Sequence, residues 1–441
     1  MGIIFSISGV RGRVPDELTP DIMVQLGKSI GTYFHGDILI GRDGRRSSQL
    51  LEHALISGIL LTGSNIRIGG IVPTPTLIYN THELDVAGGI MITASHNPEL
   101  WNGVKFIHPD GRFLLPQEVE KLKQIYRQNE YHIASWDKFG TISYDHHMIE
   151  RHIRRILEIV DTKSISRGHF KVVVDGLNSA FGLAATKLLD LLNVDHICIN
   201  CEPGRGFNRL PEPIPQHLAD LSQAVLKYKA DLGITSDADG DRLSIVTDRG
   251  IPIGEEYTLP LVAHHLCKSR QGPIVTNLST SQMIEHIASP IIRTPVGEAH
   301  VVAKMLETRA ILGGEGNGGI IDPQLHYTRD ALIGTARILE LLAHEGCKIS
   351  EIVAQFPYYC MIKDKLPISS EIPKDKLIAY LKPDTVREDD GLWLRRDRIM
   401  VHVRPSNTEP IIRIVVETPD DQTTSRILQD IKEIVGPQCA A

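Results

Sequence analysis

The stretch DILIGRDGRRSSQLLEHALISGILL, residues 37–61, changes its hydrophobic period halfway along. Ile38, Leu39 and Ile40 form a compact apolar run, Gly41 to Ser48 supply turn residues, and Leu51, Leu55 and Ile59 then recur at helical spacing. Strand, polar turn and helix are the expected order. KVVVDGLNSAFGLAATKLLDLL (171–192) and GPIVTNLSTSQMIEHIA (272–288) repeat this plan, so one βα unit is used three times. Further strands are expected at NIRIGG and GGIMIT, at HICIN and DLGITSD, and at IIRTPV and AILGG. Alternating strands and helices favour sheets covered on both faces. The tail differs, because DRIMVHVRPSNTEPIIRIVVETP reads as two strands around a polar loop, followed by the helix DDQTTSRILQDIKEIV. The expected fold is therefore α/β: three similar mixed α/β domains (1–150, 151–250, 251–364) and a smaller C-terminal α+β domain (365–441), set around a central cleft.

A chain of 441 residues fits that division, since single cores stop growing at roughly 250–300 residues. The formal net charge of -7 excludes a typical nucleic-acid binder, which needs clustered Lys and Arg to offset phosphates. No apolar run approaches the roughly 18 residues of a membrane span, and the N-terminus lacks a charged leader. The six scattered cysteines read as reduced thiols, of which only Cys198 and Cys201 have metal-ligand spacing. A cytoplasmic protein is expected, with no nucleic-acid or membrane partner.

Four polar loops carry the candidate chemistry. In GGIMITASHNP (88–98) the apolar run halts at Pro98, presenting the Ser95 hydroxyl at the carboxyl end of a strand, where open α/β sheets bind ligands. A plain Ser-Asn-Pro turn is the alternative. In SDADGDR (236–242), Asp237, Asp239 and Asp241 would repel one another unless a hard divalent cation lay between them. An EF-hand would need Gly and Glu where Arg242 and Asp248 stand. GGEGNGG (313–319) matches G-x-G-x-x-G, but IIDPQ follows in place of a helix. A glycine-lined approach for a polyhydroxylated ligand, with Glu315 accepting from hydroxyls, suits it better. In RPSNTEP (404–410), Arg404 with Ser406, Asn407 and Thr408 could cradle a phosphate, and Arg413 adds charge, though an ordinary β-turn has this composition too. A hydroxyl, a cation site, a hydroxyl-reading carboxylate and a phosphate cradle, one per domain, are equipment for phosphoryl transfer on a phosphorylated sugar.

In order along the chain, SGVRG (8–12), GRDGRRSS (41–48), TASHNP (93–98), NGVKF (102–106), DADGDR (237–242), GEGNGG (314–319) and RPSNTEP (404–410) resemble the motifs of the α-D-phosphohexomutase superfamily. The resemblance implies that Ser95 is a phosphoserine and that Asp237, Asp239 and Asp241, with Ser95, bind one Mg²⁺. It places Arg11, His96, Lys105 and Arg242 around the transferring phosphate. Glu315 and Asn317 would meet the sugar, and the Arg404 loop the other phosphate. The implied reaction passes phosphate from Ser95 to the sugar and back through a hexose 1,6-bisphosphate, which also serves as activator; monomers and homodimers are both compatible with it.

The sugar loop departs from many bacterial members, in which it ends Ser-Gly-His; here it ends Asn317-Gly318-Gly319, the archaeal-type form. His326, Lys105 and His300 are the candidates for the missing proton acceptor. SGVRG and RPSNTEP resemble the phosphoglucosamine mutase branch, so glucosamine 6-phosphate is the favoured substrate. Phosphoglucomutase or phosphomannomutase activity is the alternative within the superfamily. A non-catalytic phosphosugar-binding protein is the alternative of another class.

Overall fold

The computed structural model describes residues 2–6, 9–287, 290–367, 372–406 and 411–436. Residues 1–258 with 318–350 form one compact unit, and residues 259–317 with 351–441 a second.

The first unit holds two sheets. Strands β1 (Ile4–Ser6), β2 (Gly9–Arg13), β3 (Ile38–Arg42), β4 (Ile66–Ile71), β5 (Gly88–Ile92), β6 (Trp101–His108), β7 (Arg112–Phe113) and β8 (Ile142–Tyr144) run in the order β1-β2-β6-β5-β3-β4-β8, with β7 on β6. β3 is parallel to β5 with Arg42 opposite Ile92, so the polar loops that follow both strands emerge side by side. The helix Ser48–Leu60 follows, as the change of period requires. It packs against the helix Pro20–Phe34 so closely that a Cβ on Gly27 would lie 2.2 Å from the Leu55 carbonyl oxygen, and one on Gly58 2.1 Å from that of Val24. Leu26, Ile30, Leu51, Leu55 and Ile59 fill the core beside them, each worth roughly 1.5–3 kcal/mol relative to exposure. The second sheet comprises β9 (Lys171–Asp175), β10 (Asp195–Ile199), β11 (Leu232–Ser236) and β12 (Leu243–Thr247), in the order β10-β9-β11-β12. Only β12 is antiparallel to its neighbour, and the acidic loop 237–242 is the turn between β11 and β12.

In the second unit β13 (Ile274–Asn277) lies between β14 (Ile291–Thr294) and β15 (Leu312–Glu315), all parallel. The strand β16 (Gly319–Ile321) returns the chain to the first unit. The C-terminal sheet contains β17 (Cys360–Pro367), β18 (Thr385–Arg387), β19 (Leu392–Arg396), β20 (Ile399–Pro405) and β21 (Ile411–Thr418), antiparallel in the order β17-β21-β20-β19-β18. Ile427, Leu428, Ile431 and Val435 of the helix Asp421–Val435 belong to its core.

Two expectations need correction. The helix expected after β13 is a five-residue 3₁₀ turn, Gln282–His286, because Gln282 is held by its backbone and side-chain N–H groups on Glu417 Oε2 at 2.9 and 3.1 Å. Cys198 and Cys201, read as reduced thiols, form a disulfide across the end of β10, where Asn200 turns the chain at φ 53°. Cys267 and Cys360 are free thiols, and Cys439 lies outside the described residues. Among the described residues no helix is long and apolar enough to cross a membrane.

Candidate active site

The serine loop is held from below by an arginine. Asp43, just past β3, accepts from Thr93 Oγ1 (2.7 Å), Ser48 Oγ (2.7 Å) and Arg45 Nε (2.9 Å). Arg45 is about 1% exposed and donates to four carbonyl oxygens, those of Ser95 (2.7 Å), Asn97 (2.8 Å), Pro98 (2.7 Å) and Trp101 (3.0 Å). With Ser95 N–H bonded to Thr93 Oγ1 at 2.9 Å, the loop has little freedom. Ser95 is kept at φ 50°, a left-handed conformation that costs a non-glycine residue about 1–3 kcal/mol and persists where its surroundings impose it. A hydroxyl presented at the strand end, and not buried, is what the halt at Pro98 predicts; the structure instead buries Ser95 at 3% exposure and directs Oγ to Asp237 Oδ2, 2.9 Å away.

The acidic loop closes over it. Thr74 fixes Asp239 through its backbone N–H (2.8 Å, to the carbonyl oxygen) and its hydroxyl (2.6 Å, to Oδ2). Gly240 turns at φ 77°, where a Cβ would come within 2.9 Å of Pro73, so the close approach of this turn requires glycine. Lys105 Nζ lies 2.6 Å from Asp239 Oδ2 and 3.7 Å from Asp241 Oδ2. Arg329 donates to Asp241 Oδ2 at 2.8 Å, Arg242 stands 3.9 Å from Asp237, and Arg11 donates to Asn97 Oδ1 at 3.0 Å. His96 Nδ1 is 3.5 Å from Ser95 Oγ.

Burial, then the charges of Asp241 and Asp239, pushes Asp237 well above the ordinary carboxylate value. Burial opposes the charges of Asp239 and Lys105, but their pairing outweighs it, holding the carboxylate low and the ammonium high. The Arg242 charge, with burial and Arg11, keeps His96 well below its ordinary value, a neutral imidazole near pH 7.

The triad suits a divalent cation. One ligand atom from each of Asp237, Asp239 and Asp241 falls within 4.8 Å of the others. Asp239 Oδ1 and Asp241 Oδ1 are buried and have no hydrogen-bond partner among the described residues. Oxygen-only donors select Mg²⁺ over softer metals. Mg²⁺ at 100 times its Kd should stabilise the protein by about 2.7 kcal/mol, read as a rise in Tm that Asp237→Asn with Asp241→Asn removes. An equal rise in that variant would place the cation elsewhere.

In the second unit Glu315 closes β15 at 4% exposure, accepting from Asn277 Nδ2 (2.7 Å) and Gly297 N–H (3.3 Å) at Oε1. Asn317 Nδ2 lies 3.4 Å from the other oxygen. Arg404 on β20 pairs across the ladder with Arg413 on β21, and Asp390 lies 3.8 Å from its guanidinium. Ser406 N–H donates to Ile411 O at 2.9 Å, while Asn407 and Thr408 lie outside the described residues. Beneath Arg404, burial lowers the pKa of the wholly buried His402. The unfolded chain therefore binds this proton more readily, and stability falls as pH drops below about 6.5, at up to about 1.4 kcal/mol per unit, until the depressed folded value is reached. Tm measured from pH 7 to 5.5 should fall less steeply in His402→Gln than in the wild type; parallel slopes would remove His402 from the account.

Of the three proton-acceptor candidates, Lys105 is held protonated by Asp239 and Asp241. His326 has Nε2 on Asp330 (3.1 Å) and Nδ1 on Thr328 N–H (3.2 Å). His300 is exposed near the start of the helix Glu298–Thr308. Sequence reasoning missed Arg45, Asp43, Thr74 and Arg329. For the first two the signal was GRDGRRSS itself, an Asp-x-Arg directly after a buried strand.

A strained serine beside three aspartates that could hold a cation, with Lys and Arg around them, suits metal-assisted phosphoryl transfer. Profiles described as phosphoglucomutase/phosphomannomutase alpha/beta/alpha domains I, II and III match residues 2–132, 150–250 and 255–359, and that of the C-terminal domain matches 379–434. A Methanopyrus kandleri protein named probable phosphoglucosamine mutase is 33% identical over 99% of this chain and 98% of its own length. The phosphoglucomutase/phosphomannomutase of Thermococcus kodakarensis is also 33% identical, over 97% of each chain. The structure of a phosphoglucomutase/phosphomannomutase family protein from Burkholderia thailandensis shares the fold, with a TM-score of 0.82 and 24% identity over 99% of this chain and 98% of its own. The chain belongs to the phosphoglucomutase/phosphomannomutase family of phosphosugar mutases.

Proposed function

We propose that this mutase moves phosphate between O6 and O1 of a hexose phosphate, with Ser95 as the carrier and glucosamine 6-phosphate as the preferred substrate. The observation that carries the reading is Ser95 Oγ, held 2.9 Å from Asp237 inside the acidic triad. Phosphorylated Ser95 gives its phosphoryl group to the free sugar hydroxyl: the Oγ–P bond breaks, an O–P bond forms on the sugar, and the proton given up by the sugar hydroxyl is balanced by one taken up at Ser95 Oγ. The hexose 1,6-bisphosphate turns end for end, and its other phosphate returns to Oγ. Asp237, Asp239, Asp241 and a phosphoserine oxygen would hold Mg²⁺, which when bound draws charge from the phosphoryl oxygens.

The chain's own residues do the rest. Lys105, already charged, offsets phosphoryl charge together with Arg11 and Arg242, and the neutral His96 supplies a hydrogen bond beside Oγ. The burial of Ser95 keeps water from the phosphoserine. Glu315 and Asn317 read sugar hydroxyls, and Arg404, Arg413, Ser406, Asn407 and Thr408 hold the phosphate that is not transferred. The enzyme is read as cytoplasmic, a monomer or a homodimer.

The glucosamine preference is supported by the name of the Methanopyrus relative, and a second reading, glucose or mannose phosphates, by that of the Thermococcus one. Rates on glucosamine, glucose and mannose 6-phosphates, with Mg²⁺ and glucose 1,6-bisphosphate, decide between them. The largest kcat/KM is expected for glucosamine 6-phosphate. A higher value for either other sugar overturns the preference, and no turnover of any of them overturns the mutase reading.

A further inference from the structure

The second unit contains a hydrogen-bonded chain that runs from Glu315 to the neighbourhood of Arg404, and every member has a defined direction. Asn277, at the end of β13, gives its Nδ2–H to Glu315 Oε1 at 2.7 Å and takes the Ser279 backbone N–H on Oδ1 at 2.9 Å. Ser279 Oγ meets His402 Nδ1 at 2.9 Å, and His402 Nε2 meets the Asp390 carbonyl oxygen at 2.7 Å. A carbonyl oxygen only accepts, so Nε2 carries a proton; burial disfavours a second one on the ring, which leaves Nδ1 to accept from the Ser279 hydroxyl. His402 is thus a neutral imidazole in one tautomer, and it is wholly buried.

A second path closes the ring. Asp390 Oδ2 accepts from Val296 N–H at 2.9 Å, and the next residue, Gly297, gives its N–H to Glu315 Oε1 at 3.3 Å. On the other side Asp390 Oδ1 lies 3.8 Å from Arg404, and Gly391 turns at φ 79° where a Cβ would come within 2.7 Å of the Arg404 Cα. The Arg404 guanidinium is near enough to register the Glu315 charge as well as that of Asp390. No group in this ring belongs to the phosphotransfer site around Ser95.

We propose that Asn277, Ser279 and His402 are positioning residues that bind the Glu315 carboxylate and the Arg404 guanidinium into one preorganised receptor, fixing the spacing between the sugar-hydroxyl contact and the contact to the non-transferred phosphate. This rests on the roles given to Glu315 and Arg404 above. A receptor of fixed spacing holds a hexose phosphate of one length, and the ordering cost is met in folding and not at binding. Cutting the Asn277–Ser279–His402 path leaves only the Val296–Gly297 link and loosens both ends together.

The test is a double-mutant cycle on the full-length protein between Asn277→Ala and His402→Gln, with Ser279→Ala replacing the latter if the buried imidazole proves necessary for folding. With glucosamine 6-phosphate and glucose 1-phosphate as probes, each single change is expected to raise KM about tenfold and leave kcat within about threefold. The double change should raise KM little beyond either single one, because both cut the same chain. KM effects that multiply would overturn the proposal, as would a loss confined to kcat. The same cycle read in Tm without substrate does not depend on turnover: additive Tm losses overturn the ring itself. A wild type that turns over no sugar, with non-additive Tm losses, overturns the functional roles of Glu315 and Arg404 while leaving the ring intact. Ser95 phosphate content, followed by intact mass, should be unchanged in every variant.

Discussion

Ser95→Ala is expected to abolish turnover, lowering kcat by roughly 10⁴-fold or more, since a double-displacement route has no bypass when its covalent carrier is removed. The fold should survive. Only the hydroxyl is lost, and its donated bond goes to Asp237. Alanine can occupy φ 50° at a cost similar to that of serine, because the strain arises at Cβ and not at Oγ. Asp237 loses one donor, while the serine loop keeps its bonds from Ser95 N–H to Thr93 and from Arg45 to the Ser95 carbonyl oxygen. The measurements are steady-state rates with glucose 1,6-bisphosphate present, Tm, and intact mass. The wild type should carry one phosphate that the variant lacks, with Tm values within a few degrees. An Ala variant that retains any of the sugar rates undiminished would refute the phosphoserine mechanism.

The change of hydrophobic period in residues 37–61 and its repeat at 171–192 foretold strand and helix correctly, because those helices bury apolar faces and need nothing else. The third repeat carries the same pattern but stops after five residues, Gln282–His286. Its first residue is tied to the Glu417 carboxylate, 135 positions away, and no local window of sequence contains that bond. The site divides in the same manner. The spacing of the three aspartates marked an acidic cluster, which the structure gathers and brings against Ser95, whereas the serine loop taken alone reads as a plain turn. Arg45 was not legible, because an arginine in a polar turn ordinarily means an exposed charge, whereas this one is enclosed by four carbonyl oxygens contributed by a loop some fifty residues further on. The Cys198–Cys201 pairing was missed because spacing alone does not reveal the turn at Asn200 that brings the two sulfurs together.

Arg45→Met should therefore be costly, as Arg45 is buried beneath the serine loop. Removing the guanidinium leaves the fully buried Asp43 carboxylate without its cation and strips donors from the carbonyls of Ser95, Asn97, Pro98 and Trp101. Breaking a buried pair from one side costs about 3–5 kcal/mol, so Tm should fall by many degrees and soluble yield with it. Arg45→Lys separates folding from chemistry. It keeps the charge beside Asp43, but a single ammonium has three donors and no fork, and it cannot span an aspartate and four carbonyls. The serine loop then loses the restraint that keeps Ser95 at φ 50°. Misplacing the carrier hydroxyl by about 1 Å is enough to cost roughly 10²-fold in kcat. Because Arg45 is about 1% exposed and its donors are spent on Asp43 and the loop carbonyls, KM for glucosamine 6-phosphate should change little, and the phosphate carried by Ser95, followed by intact mass, should decline. A Lys variant with wild-type kcat and full phosphate occupancy would show that the acidic loop alone orients Ser95, through the Asp237 bond, and that Arg45 serves only stability.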